Sequence, residues 1–160
     1  SVIPHFHQQI LDGKDITVTD PLMTRFMMTL DDAVQLVMYA FKNGNPGDIF
    51  VQKSPASTIG LLAETLKELY NSDSKIINIG IRHSEKVHET LLSKEERMIS
   101  DDLEKYFRIP SDNRDLNYND YYFKGKKNKE LEEYNSSNTY QLDKKELLVL
   151  LSQIGFNGKI

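Results

Sequence analysis

The chain has 160 residues, of which 39% are hydrophobic and 28% charged, and its net charge is −4. That length suits one domain, and the mildly acidic balance argues against general nucleic-acid binding. The absence of cysteine excludes disulfides, thiolate metal sites and thiol nucleophiles.

No apolar run approaches the roughly 18 residues of a membrane span. No secretory signal is visible, so a soluble cytoplasmic protein is expected. The chain starts without an initiator Met, inside the apolar run Ser1-Val2-Ile3-Pro4. A piece of a longer protein is therefore expected.

Val2 to Leu11 reads as a helix, with Phe6 and Ile10 four apart and Pro4 in the first turn. Asp12-Gly13-Lys14-Asp15 is a turn, and the alternation of Ile16 to Thr19 predicts a short strand that Asp20-Pro21 ends. Thr29 is placed to cap a helix with Asp31 and Asp32 in its first turn. Leu30, Val34, Val37, Met38 and Phe41 share one face of that helix, which reads most simply as a core element. Gly44-Asn45-Pro46-Gly47 is a turn, and Asp48 to Val51 is expected to be a buried-type strand. Ser57 or Thr58 caps a further helix whose inner face is Ile59, Leu62, Ala63, Leu66 and Leu69. Ile76 to Ile81 reads as a buried strand. The order strand, helix, strand over 48–81 predicts an α/β arrangement.

Ser84 to Leu92 is read as a short helix capped by Ser84, Glu95 to Ile99 as a strand or turn, and Phe107 to Pro110 as the exit from the compact part. From Ser111 to Gln141 Asn, Asp, Ser, Tyr and Lys dominate, which predicts an extended arm laid on a surface. Tyr118, Tyr121, Tyr134 and Tyr140 would anchor it. A terminal helix follows, with Asp143 as cap, Glu146 three residues on, and Leu147, Leu150, Leu151 and Ile154 as its apolar face.

Catalytic triads find no support. His5-x-His7 could clip a metal only with a third ligand that the sequence does not show. His83 and His88 lie five apart, off any single helical face. The eight glycines never fall into phosphate-loop spacing. Tyr122/Lys126 and Tyr140/Lys144 match Tyr-x-x-x-Lys by chance in a Tyr- and Lys-rich tail. What remains is anion binding. Arg25 precedes a helix, and Arg82 leaves a strand beside Ser84 and Glu85, each at an element boundary. The alternative is a pair of solvated surface arginines.

Four stretches carry a family resemblance: Ser1-Val2-Ile3-Pro4, Thr19-Asp20-Pro21-Leu22-Met23-Thr24-Arg25-Phe26, Asp48-Ile49-Phe50-Val51, and Ile81 to Glu89 with its Glu85-Lys86-x-His88-Glu89. In this order they resemble the C-terminal half of bacterial polysaccharide-biosynthesis nucleotide-sugar enzymes of the CapD/CapE type, which are extended short-chain dehydrogenase/reductases. Asn113 to Tyr118 and Glu133-Tyr134-Asn135-Ser136-Ser137-Asn138-Thr139 resemble the C-terminal extension of that branch.

The resemblance implies an α/β substrate-binding part over 1–111 with few short strands and no complete Rossmann sheet. It implies an arm and helix over 112–160. Ser1, Val2 and Pro4 would line a nucleotide-sugar pocket. Thr19 and Arg25 would contact UDP, with Arg25 on the diphosphate. Arg82 and Glu85 match the Arg and Glu of the family's R-P-G-E-K, on diphosphate and ribose. His83-Ser84 here replaces the Pro-Gly. The glycine-rich NAD(P) loop and the catalytic Lys of the family would lie before Ser1, so no catalytic residue, cofactor or metal is expected on this chain.

The implied parent is an NAD(P)-dependent UDP-hexose 4-epimerase of capsule, O-antigen or other polysaccharide biosynthesis. The alternatives are a 5-inverting UDP-N-acetylglucosamine 4,6-dehydratase and a non-catalytic oligomerisation module. Expected partners are a UDP-sugar, the missing N-terminal Rossmann half and further copies of the chain through the arm. Part of the apolar surface should be exposed where that half would pack.

Overall fold

A computed structural model describes residues 2–111 and 132–158. These residues divide into two compact units, and neither is continuous in sequence.

The first unit takes residues 2–29, 54–89 and 136–158. It holds α1 (Val2–Leu11), β1 (Ile16–Val18), β2 (Thr24–Phe26), β4 (Ala56–Thr58), α3 (Ile59–Leu69), β5 (Ile76–Asn78) and α5 (Lys144–Gln153). β1 pairs in parallel with β5, Val18 opposite Asn78, and β2 pairs antiparallel with β4, Arg25 opposite Ser57. The core is one cluster. Phe6 and Ile10 come from α1, Ile16 and Val18 from β1, Leu62 and Leu66 from α3, and Leu147 and Leu151 from α5. The helical spacing puts these side chains on one stripe of each helix, where burial removes them from water. Thr58 caps α3 by accepting from the Leu61 amide, and Asp143 and Glu146 close a capping box on α5.

The second unit takes residues 30–53, 90–111 and 132–135. It holds α2 (Leu30–Asn43), β3 (Ile49–Gln52), β6 (Thr90–Leu92), α4 (Lys94–Ile99), β7 (Asp101–Asp102), β8 (Tyr106–Ile109) and β9 (Tyr134–Asn135). The antiparallel order is β3-β8-β7, with β6 paired to β9. Tyr39 of α2 stacks on Tyr106 at 4.4 Å and meets Phe50 edge-on at 5.7 Å, while Phe107 meets Tyr134 at 5.1 Å. Asp48 closes the β3 end of this sheet, accepting from the Asn45 and Ser111 amides and from Arg108 Nε. Those donors hold its carboxyl below the usual carboxylate range, the Asn45 N–H most of all.

An α/β fold of short strands is thus observed. Among the described residues no sheet exceeds three strands. Several local expectations are corrected. The face Leu30, Val34, Val37, Met38 and Phe41 is not core: Leu30 is 78% and Phe41 88% exposed, and α2 buries no residue fully. Its inner side is instead the row Ala33, Leu36, Tyr39 and Ala40, half-buried. The strand at Ile76 stops at Asn78 and is largely exposed, with Ile79 and Ile81 in the loop beyond. Ile49 is likewise exposed at the start of β3.

Residues 84–92 form no helix. They run as a loop into β6, because Ser84 adopts a positive φ of 73°, which a helix N-cap does not. The segment 94–99 is a helix, since Ser93 and Glu96 make a full capping box. Tyr106–Ile109 does not lead outward: it is the central strand of its sheet and three of its four residues are buried. Of the tyrosine anchors, Tyr134 is buried, but Tyr140 is 64% exposed and donates from Oη to Glu146. Tyr118 and Tyr121 lie outside the described residues, as does Ser1.

Candidate functional site: a strap at the carboxyl end of the parallel pair

β1 and β5 point the same way, so the loops that leave them, 19–23 and 79–89, start side by side. Ile79 N donates to Val18 O at 2.8 Å, which carries the pairing one step into the loop. Ligands of open α/β sheets bind outside the carboxyl ends of parallel strands. The first of these loops holds Thr19 and leads into Arg25 on β2, and the second holds Arg82 and Glu85.

The loop after β5 is built by turns. Gly80 lies at φ 84° and donates its amide to Asn78 Oδ1. Arg82 to Glu85 then form a β-turn closed by Glu85 N to Arg82 O at 3.2 Å. Ser84 occupies the third position at positive φ, the place that a type II turn gives to glycine and that follows its favoured proline. The turn therefore keeps the shape suited to Pro-Gly although His83-Ser84 stand there, and Ser84 does not cap a helix as expected.

Glu85 joins the two loops. Its Oε1 accepts from Thr19 Oγ1 at 3.4 Å and its Oε2 from the Arg82 amide at 3.3 Å. The structure thus brings Thr19, Glu85 and the backbone of Arg82 together. The Arg82 guanidinium makes no hydrogen bond or ion pair among the described residues, and the residue is exposed.

Arg25 is engaged differently. Its Nη1 donates to the Thr24 carbonyl at 2.7 Å and the Val87 carbonyl at 3.2 Å. Its Nη2 donates to the Lys86 carbonyl at 3.0 Å, and Nε lies 3.5 Å from Glu89 Oε1. A planar guanidinium with five donors can hold several carbonyls in one plane, which an ammonium cannot do. Arg25 thus fastens residues 86–89 as a strap along β2.

Three further residues complete the fastening, and reasoning from sequence assigned them no role. Thr24 Oγ1 lies 2.8 Å from His88 Nδ1 and 2.6 Å from Ser136 Oγ. Ser136 Oγ donates to the Thr24 carbonyl at 3.0 Å and accepts from the Glu89 amide at 2.9 Å. All three lie inside the stretches that carry the family resemblance, so the motif held the signal while pairwise spacing did not.

Among the described residues, no hydrogen bond or ion pair joins Val2 or Pro4 to this cluster. Val2 packs against the core, and Pro4 is exposed in the first turn of α1. The His7 ring sits between Tyr70 and Phe156, at 4.8 and 5.1 Å, and among the described residues no group of three potential metal ligands exists. A dinucleotide does not fit the β4-to-α3 turn. A Cβ built on Gly60, the glycine of that junction, would meet Pro21 at 2.9 Å, so the backbone is covered rather than open to a pyrophosphate. No described helix is long and apolar enough to cross a membrane.

An α/β chain with polar loops at the carboxyl end of a parallel pair defines a class, and comparison places the chain within it. The chain belongs to the polysaccharide biosynthesis protein family, whose model matches residues 1–111. The model of the polysaccharide biosynthesis protein C-terminal region matches residues 112–156. Curated relatives named UDP-glucose 4-epimerase include those of Rickettsia rickettsii (strain Sheila Smith), 53% identical, and Rickettsia canadensis (strain McKiel), 50% identical. Each match covers 98% of this chain and 46% of the relative. The chain thus spans about half the length of these relatives. Among solved structures, the X-ray structure of Pen from Bacillus thuringiensis is similar with a TM-score of 0.76 and 34% identity, over 96% of this chain and 45% of that one.

Proposed function

We propose that the chain is the substrate-binding half of a UDP-hexose 4-epimerase acting in polysaccharide biosynthesis. The observation that carries this reading is the identity of 50–53%, over almost the whole chain, to relatives named UDP-glucose 4-epimerase. Support also comes from the loop that leaves β5 at the carboxyl end of the parallel pair: it carries Arg82, and Arg25 binds its Lys86 and Val87 carbonyls.

In this reading Arg82 is the first donor to the diphosphate, since its guanidinium is uncommitted among the described residues. Arg25 offers a phosphate oxygen the Nη2 hydrogen that otherwise meets only Met23 Sδ at 3.7 Å, and keeps its strap carbonyls. Thr19 and Glu85 orient the nucleoside side, with Glu85 fixing the Arg82 turn from its carboxylate. NAD(P), held by residues outside this chain, supplies the oxidation and re-reduction at the sugar. This half contributes binding and orientation. The exposed outer face of α2 is the surface on which the nucleotide-binding half packs, and the parent works in the cytoplasm.

The test is product analysis. The full-length enzyme, given UDP-glucose and NAD(P)+, is followed by proton NMR. Formation of UDP-galactose is the expected result. A 4-keto-6-deoxy product with UDP-N-acetylglucosamine, and none from UDP-glucose, would make the parent a dehydratase and overturn the epimerase reading.

A further inference from the structure

Ser136 belongs to the C-terminal segment, far along the chain from the loops of the site, yet it is fully buried. Its backbone pairs with the strap, Ser136 N donating to Glu89 O at 2.8 Å, and Gln141 Nε2 donates to its carbonyl at 2.9 Å. Its hydroxyl meets three partners: Thr24 Oγ1, Thr24 O and the Glu89 amide.

A hydroxyl carries one hydrogen and two lone pairs. One assignment uses every contact. Ser136 donates to the Thr24 carbonyl and accepts from the Glu89 amide and the Thr24 hydroxyl. Thr24 Oγ1 then accepts from His88, protonated at Nδ1. So a single side chain holds both the strand that carries Arg25 and the end of the strap that carries Glu85 to Glu89.

Resting on the nucleotide-sugar reading of this site, we propose that Ser136 is a positioning residue for substrate binding. The C-terminal segment thereby fixes the 85–89 strap in the conformation that presents Arg82 and Glu85. Ser136 touches no substrate. It acts by keeping the strap in one state, and apparent affinity falls in proportion to the fraction of molecules holding that state.

The physical case is one of burial. Ser136 is closed to solvent, so removing its hydroxyl leaves the Glu89 amide without its acceptor. The strap must then open to find one. Opening also releases the two carbonyls that Arg25 holds.

The experiment uses the full-length enzyme and its Ser136→Ala variant, with Thr24→Val and Thr24→Ser as a second pair. Affinity for UDP-glucose and for NAD(P) is measured by calorimetry, and KM and kcat by turnover. The expected result for Ser136→Ala is an affinity for UDP-glucose about tenfold weaker, at a strap competent in about a tenth of molecules. KM rises accordingly, while kcat and NAD(P) affinity stay near wild type. Thr24→Val behaves alike, and Thr24→Ser, which keeps the hydroxyl, restores wild-type affinity. If Ser136→Ala does not fold, the Thr24 pair decides alone. Unchanged UDP-glucose affinity in Ser136→Ala and Thr24→Val overturns this inference only, as does an equal loss of UDP-glucose and NAD(P) binding. A wild-type enzyme that fails to bind UDP-glucose overturns the reading of the site itself.

Discussion

Ser84 sits in the left-handed region at φ 73°, where a side chain other than glycine costs about 1–2 kcal/mol. The turn survives because Glu85 braces it from both sides, through Thr19 Oγ1 and the Arg82 amide. Ser84→Gly should therefore stabilise the protein by about 1 kcal/mol, read by chemical denaturation, without weakening UDP-glucose binding. A destabilised variant would mean that the serine side chain contributes something the turn geometry does not reveal. The same position shows what was legible at this scale. Arg82 and Glu85 could be picked out as charges at a strand exit. The role of Ser84 could not, because a serine before Glu-Lys is equally a helix cap and a turn residue, and only the backbone dihedral separates the two. Arg25 was legible as a cation at a boundary. That its donors are taken by the Lys86 and Val87 carbonyls was not, since those partners lie 61 and 62 positions on in sequence.

Periodicity at the scale of elements located α1, α3 and α5 well, because each has one apolar stripe and a start or cap that the residues announce. It misread α2, which is apolar on two sides. The row Ala33, Leu36, Tyr39, Ala40 faces β3 and β8, and the row Leu30, Val34, Val37, Met38, Phe41 faces outward. The 3.6-residue period fits either row, so spacing cannot choose between them, and a helix apolar on nearly every side is normally a buried one. On the proposal that the nucleotide-binding half packs on the outer row, Phe41→Ala in the full-length protein should cost about 3–5 kcal/mol in equilibrium unfolding. A cost within about 0.5 kcal/mol, the usual range for surface positions, would leave the face in water and remove the packing of the second half from it. Short strands such as β2, β4 and β9 escaped notice for a different reason. Two or three residues carry no usable alternation, and their pairing partners are remote.

The chain as a whole is folded from segments that interleave. Residues 54–89 and 136–158 join residues 2–29 in one unit, while 30–53, 90–111 and 132–135 make the other. Composition marked the shift near residue 111 but could not show that 136–158 returns to pack α5 against α3. That return puts Ser136 on the strap, within the candidate site.

The central claim is that this half of the protein holds the diphosphate of a nucleotide sugar, with Arg82 as its uncommitted donor. Charge-assisted hydrogen bonds contribute roughly 1.5–3 kcal/mol each, and about 1.4 kcal/mol is a factor of ten in affinity. The most direct measurement is calorimetric titration of the full-length enzyme and its Arg82→Ala variant with UDP-glucose and, separately, with NAD(P). The account predicts UDP-glucose binding weakened about ten- to a hundredfold, on the order of 1.4–3 kcal/mol, with NAD(P) binding near wild type. Unchanged UDP-glucose affinity in Arg82→Ala would contradict it.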